Sequence, residues 1–239
     1  MPNGMQIAVA GVLAQQARFD AVANDMANIN TPGYRRTRVA FQEIVTPNAG
    51  DGSGGGVRAI MSGRSSAQGT LQPSDNPVSV ALQGPGYIPV KLADGGIGLS
   101  RAGDLRMDGE RRLVLPSGEP LEPPITVPAP AAITDVLIDP DGSVRALGKP
   151  IGKITVVEVP APGGLLPSES GVLAVSQASG AAVPVGTKTS VVQGNLEMAG
   201  FTLADAMVSM IEAQRAFELA TKAVRMQDQL KQIENEIRR

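Results

Sequence analysis

A chain of 239 residues with 42% hydrophobic content can bury one or two cores, yet aromatics are only 3% and Trp is absent, so stacking platforms are scarce. Neither Cys nor His occurs, which removes thiol chemistry, Cys/His zinc sites and the usual proton shuttle near neutral pH. The 21 basic and 23 acidic residues leave a formal charge of −2, so no overall field draws the chain to nucleic acid.

The opening Met1-Pro2-Asn3-Gly4-Met5-Gln6 has no basic n-region, and no apolar h-region or cleavage site follows. Export by the general secretory route is therefore not expected. No run of about 18 apolar residues occurs, so membrane insertion is not expected either. From residue 5 to 29 the pattern is helical: Val9, Val12, Gln16, Phe19, Val22, Met26 and Ile29 recur at spacings of three and four. Such a helix would be roughly 37 Å long. Asn28 to Gly33 end it, because Pro32 pushes Thr31 toward extended geometry and Gly33 tolerates positive φ.

Residues 35–70 are polar and read as an extended linker region, with Val39-Ala40-Phe41 and Ile44-Val45 as a candidate strand or short amphipathic piece. Asn48 to Gly56 reads as flexible linker. Its Gly50-x-Gly52-x-x-Gly55 spacing lacks the preceding buried strand and following helix of a dinucleotide site. Residues 71–199 read as a mostly antiparallel β domain. Short apolar runs at 78–82, 87–90, 113–115, 133–138, 154–159 and 172–175 alternate with turn signals such as Pro140-Asp141-Gly142. Thr202-Leu203-Ala204-Asp205 then opens a second helix running to Arg239, with a capping-box-like start. Leu203, Met207, Met210, Gln214, Phe217, Thr221 and Val224 form one ladder along it, and Met226, Leu230, Ile233 and Ile237 another, out of phase. Glu218 with Lys222, and Glu234 with Arg238, are spaced for i,i+4 pairs.

Local patterns do not add up to catalysis. Asp139-Pro140-Asp141-Gly142-Ser143 begins like a calcium loop, but its Gly comes fourth and the twelfth position is Pro150, so a hairpin turn is expected. Gly142 to Gly148-Lys149-Pro150 lacks the spacing and the hydroxyl residue of a phosphate loop. Ser-x-x-Lys and Gly-x-Ser-x-Gly are both missing from the sequence. Asp104, Asp108, Glu110, Glu119 and Glu122 sit among turns, with nothing to mark a catalytic pair. Arg35-Arg36-Thr37-Arg38 is a basic cluster that solvates a loop or pairs across an interface. No catalytic residue, cofactor or metal is expected. An apolar helical stripe is more often a domain's own core than an interface. Here, however, the helices stand at opposite ends of the chain, and the second is apolar over too much of its circumference for one shorter partner. Assembly is the expected role.

The segment Ala23-Asn24-Asp25-Met26-Ala27-Asn28-Ile29-Asn30-Thr31-Pro32-Gly33-Tyr34-Arg35-Arg36 resembles the N-terminal signature of the flagellar rod and hook family of axial proteins. Met207 to Glu218, containing Gln214-Arg215-Ala216-Phe217-Glu218, with Lys222-Ala223-Val224 after it, resembles the family's C-terminal signature. Val80 to Tyr87 and Val191 to Glu197 resemble its middle. The resemblance implies an α+β fold: residues 1–34 and 200–239 paired as a coiled-coil-like inner domain, and the β domain outside it. It implies a structural rod subunit, not an enzyme, that polymerises helically around an export channel and transmits torque. The implied partners are other copies of itself, other rod and hook proteins and the flagellar export apparatus, with no nucleic acid. Its place would be the extracytoplasmic basal body, reached without a cleaved signal peptide.

Subunit contacts are expected at Val9, Val12, Phe19, Val22, Met26 and Ile29 on the first helix. On the second they are expected at Leu203, Met207, Met210, Gln214, Phe217, Val224, Leu230, Ile233 and Ile237. The motif positions are Asn24, Asn28, Thr31, Pro32, Gly33 and Tyr34, then Gln214, Arg215, Phe217 and Glu218. The Met210-to-Glu218 run favours the distal rod type. The short stretch between Phe41 and Val57, and Ala199-Gly200-Phe201-Thr202 and Leu99-Ser100-Arg101-Ala102-Gly103 in place of family patterns, leave the proximal rod type as an alternative. A secreted β-domain binding module with an oligomerising helical pair is the other alternative.

Overall fold

The computed structural model describes residues 4–45, 54–168 and 171–237. The chain divides into two compact units. One contains Met1–Asn28, Thr37–Gly63 and Phe201–Arg239; the other contains Ile29–Arg36 and Arg64–Gly200.

In the first unit, helix α1 (Gly4–Ala27) is Ala-rich and ends where Asn28 caps it. The Asn28 side-chain amide donates to the Asn24 carbonyl at 2.9 Å, and its backbone N–H is shared between the carbonyls of Asn24 and Asp25. Ile29, expected as the helix's last apolar position, therefore lies beyond it and groups with the β unit. Helix α2 (Leu203–Ile237) opens on a complete capping box. Asp205 N–H donates to Thr202 Oγ1 at 3.2 Å, and the Asp205 carboxylate accepts from Thr202 N–H and Oγ1 at 3.1 and 2.7 Å. Asp replaces the longer Glu here by bonding the hydroxyl as well. The expected Glu234–Arg238 pair lies outside the described residues. Glu218 accepts instead from Gln214, at 3.4 Å, and no ion pair joins it to Lys222 among the described residues.

The two helices pack antiparallel: Gly4 abuts Gln227, and Arg18 pairs with Glu212 at 3.3 Å. Small residues mark the seam, with Ala14 and Ala21 of α1 and Ala206 and Ala213 of α2 all buried. Alanine lets backbones approach where a Leu or Met would hold them apart. Two strands complete the unit: β1 (Thr37–Val45) pairs with β2 (Gly54–Arg64), and β1 packs on α1. The region expected as an extended linker thus contains a strand pair. The backbone N–H of Thr37 donates to the buried Asp25 carboxylate at 3.1 Å, which ties the start of β1 to the end of α1. Of the dinucleotide-like glycines, Gly50 and Gly52 lie outside the described residues, and Gly55 sits in β2.

The second unit is built of short antiparallel strands. Four form one sheet in the order Leu166–Pro167, Leu173–Ala174, Ile97–Ser100, Ile88–Lys91. Val80–Gln83 pairs with Ser190–Gln193, and Leu71–Pro73 with Asn195–Glu197, so the strands before α2 return to those that open the unit. Val136–Ile138, Ser143–Ala146 and Lys149–Lys153 form a three-stranded meander. Its turns are the two patterns that imitate ligand loops. Gly142, at φ +85°, donates its N–H to the Asp139 carbonyl at 2.9 Å, and Leu147-Gly148 makes the next turn at φ +51° and +75°. The core is aliphatic: Val78, Leu82, Ile88, Leu105, Leu113 and Ile125 are all essentially inaccessible. The small aromatic content of the chain is thereby explained, since γ- and β-branched side chains fill this unit.

Candidate assembly surfaces and the motif anchor

The turn after α1 is fixed by a buried ionic cluster. Glu197, at the end of its strand and 1% exposed, accepts from Arg35 Nη2 at 2.7 Å, Arg101 Nε at 2.8 Å and the Gly69 N–H at 3.0 Å. Each guanidinium also donates to backbone carbonyls: Arg35 to Ala67, and Arg101 to Gly84, at 2.7 Å, and Gly86. One carboxylate therefore ties three distant stretches of chain, with two cations held against a single anion. Burial pushes the Arg35 guanidinium below its ordinary value, and the charge of Glu197 opposes that shift. The same burial raises Tyr87, whose neighbours include both arginines.

Gly33 completes the anchor. Its N–H donates to the Glu197 carbonyl at 2.7 Å, its φ is +73°, and a Cβ there would stand 2.4 Å from the Ala102 nitrogen. Backbone cannot retreat as a side chain can. Gly33→Ala is accordingly expected to destabilise the β unit by about 1–3 kcal/mol, read as a lower midpoint in chemical denaturation. The Tyr34 ring lies 5.5 Å from the Arg64 guanidinium carbon in a cation–π contact. Thr31 is exposed, Pro32 half-buried. Sequence reasoning placed Arg35 in a basic cluster and Glu197 in a motif, but it missed their pairing and the role of Arg101. A lone Arg and a lone Glu at the ends of buried strands were the available signal.

The expected contact residues fall into two sets. Val22 is buried, and Val12, Phe19, Met26, Met210, Phe217 and Val224 are half-buried, on or beside the α1–α2 seam. Gln16, Phe19, Asp20, Gln214, Phe217 and Glu218 line a groove of about 600 Å³ along it. Val9, Leu203, Met207, Leu230, Ile233 and Ile237 are exposed instead, as are Gln214 and Arg215. The exposed apolar residues of α2 therefore lie outside the surface that α1 covers, Leu203 and Met207 toward its start and Leu230, Ile233 and Ile237 on a different face toward its end. Among the described residues no three His, Cys, Asp or Glu side chains gather as a metal site, and no helix is long and apolar enough to cross a membrane.

Three family descriptions match the chain: "Flagella basal body rod protein" over residues 5–35, "Flagellar hook protein FlgE/F/G D1 domain" over 81–146, and "Flagellar basal body rod FlgEFG protein C-terminal" over 192–237. The flagellar basal-body rod protein FlgG of Buchnera aphidicola (subsp. Schizaphis graminum) is 30% identical, over 97% of this chain and 98% of its own length. The chain belongs to the flagellar basal-body rod protein family. FlgG of Borreliella burgdorferi is 29% identical over the full length of both chains, and FlgF of Salmonella typhimurium 29% identical over 93% of this chain and 91% of its own. As a member of that family the chain is a structural, non-enzymatic component of the rod. Arg35, Arg101 and Glu197 each fall in a different one of the three matched windows, so the buried cluster joins all three matched regions.

Proposed function

We propose that this subunit polymerises helically around an export channel, as a rod of the distal type, and transmits torque through that polymer. The carrying observation is the apolar surface that α1 leaves uncovered on α2. Met207 and Ile211 near one end, and Leu230, Ile233 and Ile237 near the other, are about half or more exposed. Two such exposed apolar groups on one helix mark interaction surfaces. The α1–α2 pair is, on this reading, a coiled-coil-like inner domain of the rod. Delivery by the flagellar export apparatus to the extracytoplasmic basal body, without a cleaved signal, completes the proposal.

The distal type is supported by relatives named FlgG that match the chain nearly end to end. The short stretch between Phe41 and Val57 counts against the distal type, and the alignment to the first of these runs over 257 positions against the 239 of this chain. The Salmonella FlgF keeps the proximal type as the second reading. Sedimentation and electron microscopy of concentrated protein test the polymer: filaments or extended arcs are expected. A closed dimer or trimer that never lengthens would favour a discrete binding module instead.

A further inference from the structure

We infer that Asp94-Gly95 is a site of spontaneous covalent rearrangement, converting to isoaspartate through a succinimide ahead of the other described Asp-Gly pairs. An Asp followed by Gly is open to this chemistry, because glycine has no Cβ to keep its nitrogen from the aspartyl carboxyl. The Gly nitrogen bonds to Asp Cγ and gives up its proton, which leaves with a carboxyl oxygen as water. Water then adds to the former main-chain carbonyl of the ring, and opening there leaves the chain running through Cγ. No oxidant or reductant takes part. Asp-Gly occurs at 51, 94, 108 and 141, and the first of these lies outside the described residues. The sequence alone does not rank the other three, since each presents the same step.

The fold ranks them. Asp108 accepts from the backbone N–H groups of Glu110 and Arg112 at 2.9 and 2.7 Å, and from Arg112 Nε at 2.9 Å. Asp141 accepts from the Ser143 N–H and hydroxyl at 3.0 and 2.7 Å, and Lys153 Nζ stands 3.6 Å away. The backbone N–H of Arg112 holds the Asp108 carboxyl below its ordinary range, and the Ser143 hydroxyl does so for Asp141. Ring closure draws on the protonated acid, so both groups are slowed. Asp94 accepts one hydrogen bond among the described residues, from the Gly96 N–H at 2.8 Å.

The glycines differ as well. Gly142 is buried, its N–H donates to the Asp139 carbonyl at 2.9 Å, and its carbonyl accepts from the Ile154 N–H at 2.7 Å. It cannot turn toward Cγ without opening the meander. Gly109 is exposed with open space around it, so the carboxylate is the lock at that pair. Gly95 is also exposed and unhindered, and its N–H is held by one bond, to the Leu92 carbonyl at 3.0 Å. A single bond in an exposed turn opens by local fraying. Of the three pairs, Asp94-Gly95 alone has both partners loosely held. Its product adds a methylene carbon to the main chain in the loop joining Ile88–Lys91 to Ile97–Ser100. The longer loop loosens the bond that closes it, from the Leu92 N–H to the Gly96 carbonyl at 2.9 Å.

The test is to hold the purified chain at growth temperature for several weeks, cleave it after Lys and Arg, and separate isomeric peptides by chromatography. Cleavage releases residues 92–101, in which Asp94 is the only Asp or Asn, and residues 107–111, in which Asp108 is. Isoaspartate at Asp94 should exceed that at Asp108 or Asp141 by about tenfold, since their additional hydrogen bonds must break first. In denaturant the three should react at similar rates, and Asp94→Ser should leave 92–101 as a single isomer. Equal yields in the folded chain, an earlier yield at Asp108 or Asp141, or the same preference for Asp94 in denaturant would overturn the inference. So would a folded chain unchanged at Asp94 after the denatured one has reacted, or a second isomer of 92–101 in the Asp94→Ser variant.

Discussion

Glu197→Ala is expected to destabilise the β unit by about 3–5 kcal/mol, because it leaves two guanidinium groups buried without their anion. Arg35 and Arg101 are 7% and 6% exposed, so water cannot replace the carboxylate without opening the structure. The Gly69 N–H and the turn through Gly33 lose their partner or its support in the same step. Glu197→Gln keeps the volume and one acceptor, yet turns the other oxygen into a donor aimed at a cation, so it should be costly too, though less so. Far-UV circular dichroism in increasing denaturant reads both. A loss below about 1 kcal/mol for Glu197→Ala, the range of an exposed pair, would show that the cluster does not hold the turn. Removing all three charges together is a different experiment: a well-packed apolar replacement is often neutral, so the single substitution is the informative one.

Phe217→Asp is the second large effect. Phe217 is half-buried and, with Phe19, lines the groove of the helix pair. A carboxylate there loses the ring's apolar contact and gains a negative charge beside Asp20 and Glu218. A penalty of about 3–5 kcal/mol is expected, enough to separate two helices whose seam is made of alanines with little area to bury. Helical content should fall and polymer should disappear, while the β unit keeps its own unfolding transition. Polymer formed at the parent's concentration would mean that the groove plays no part in assembly.

Both helices, the capping box at Thr202 and the β character of residues 71–199 are legible in the sequence, because each rests on periodicity or local turn chemistry. The Pro140-Asp141-Gly142 hairpin is legible for the same reason. Less is visible where the partner is remote. The 3-4 ladder of Leu203, Met207 and Met210 looks like the helix seam, yet Ala206 and Ala213 are the residues most deeply covered, since hydrophobic size does not reveal how closely two backbones approach. Thr37 to Arg64 looks like linker because strands on a helix, exposed on their other side, carry many polar residues. The ties from Arg35 and Arg101 to Glu197 span 162 and 96 residues, and no local pattern encodes such a pairing.

The stretches around Glu197 have one more consequence. Arg35 is next to the exit toward β1, Ala67 and Gly69 follow the return from β2, and Met198, whose N–H bonds the Thr70 carbonyl at 2.9 Å, precedes α2. Every passage of the chain into or out of the β unit is therefore gathered at one spot. Strands of the β unit far from this spot can accordingly be lengthened or shortened without disturbing where the chain enters and leaves, provided that Arg35, Arg101 and Glu197 are kept.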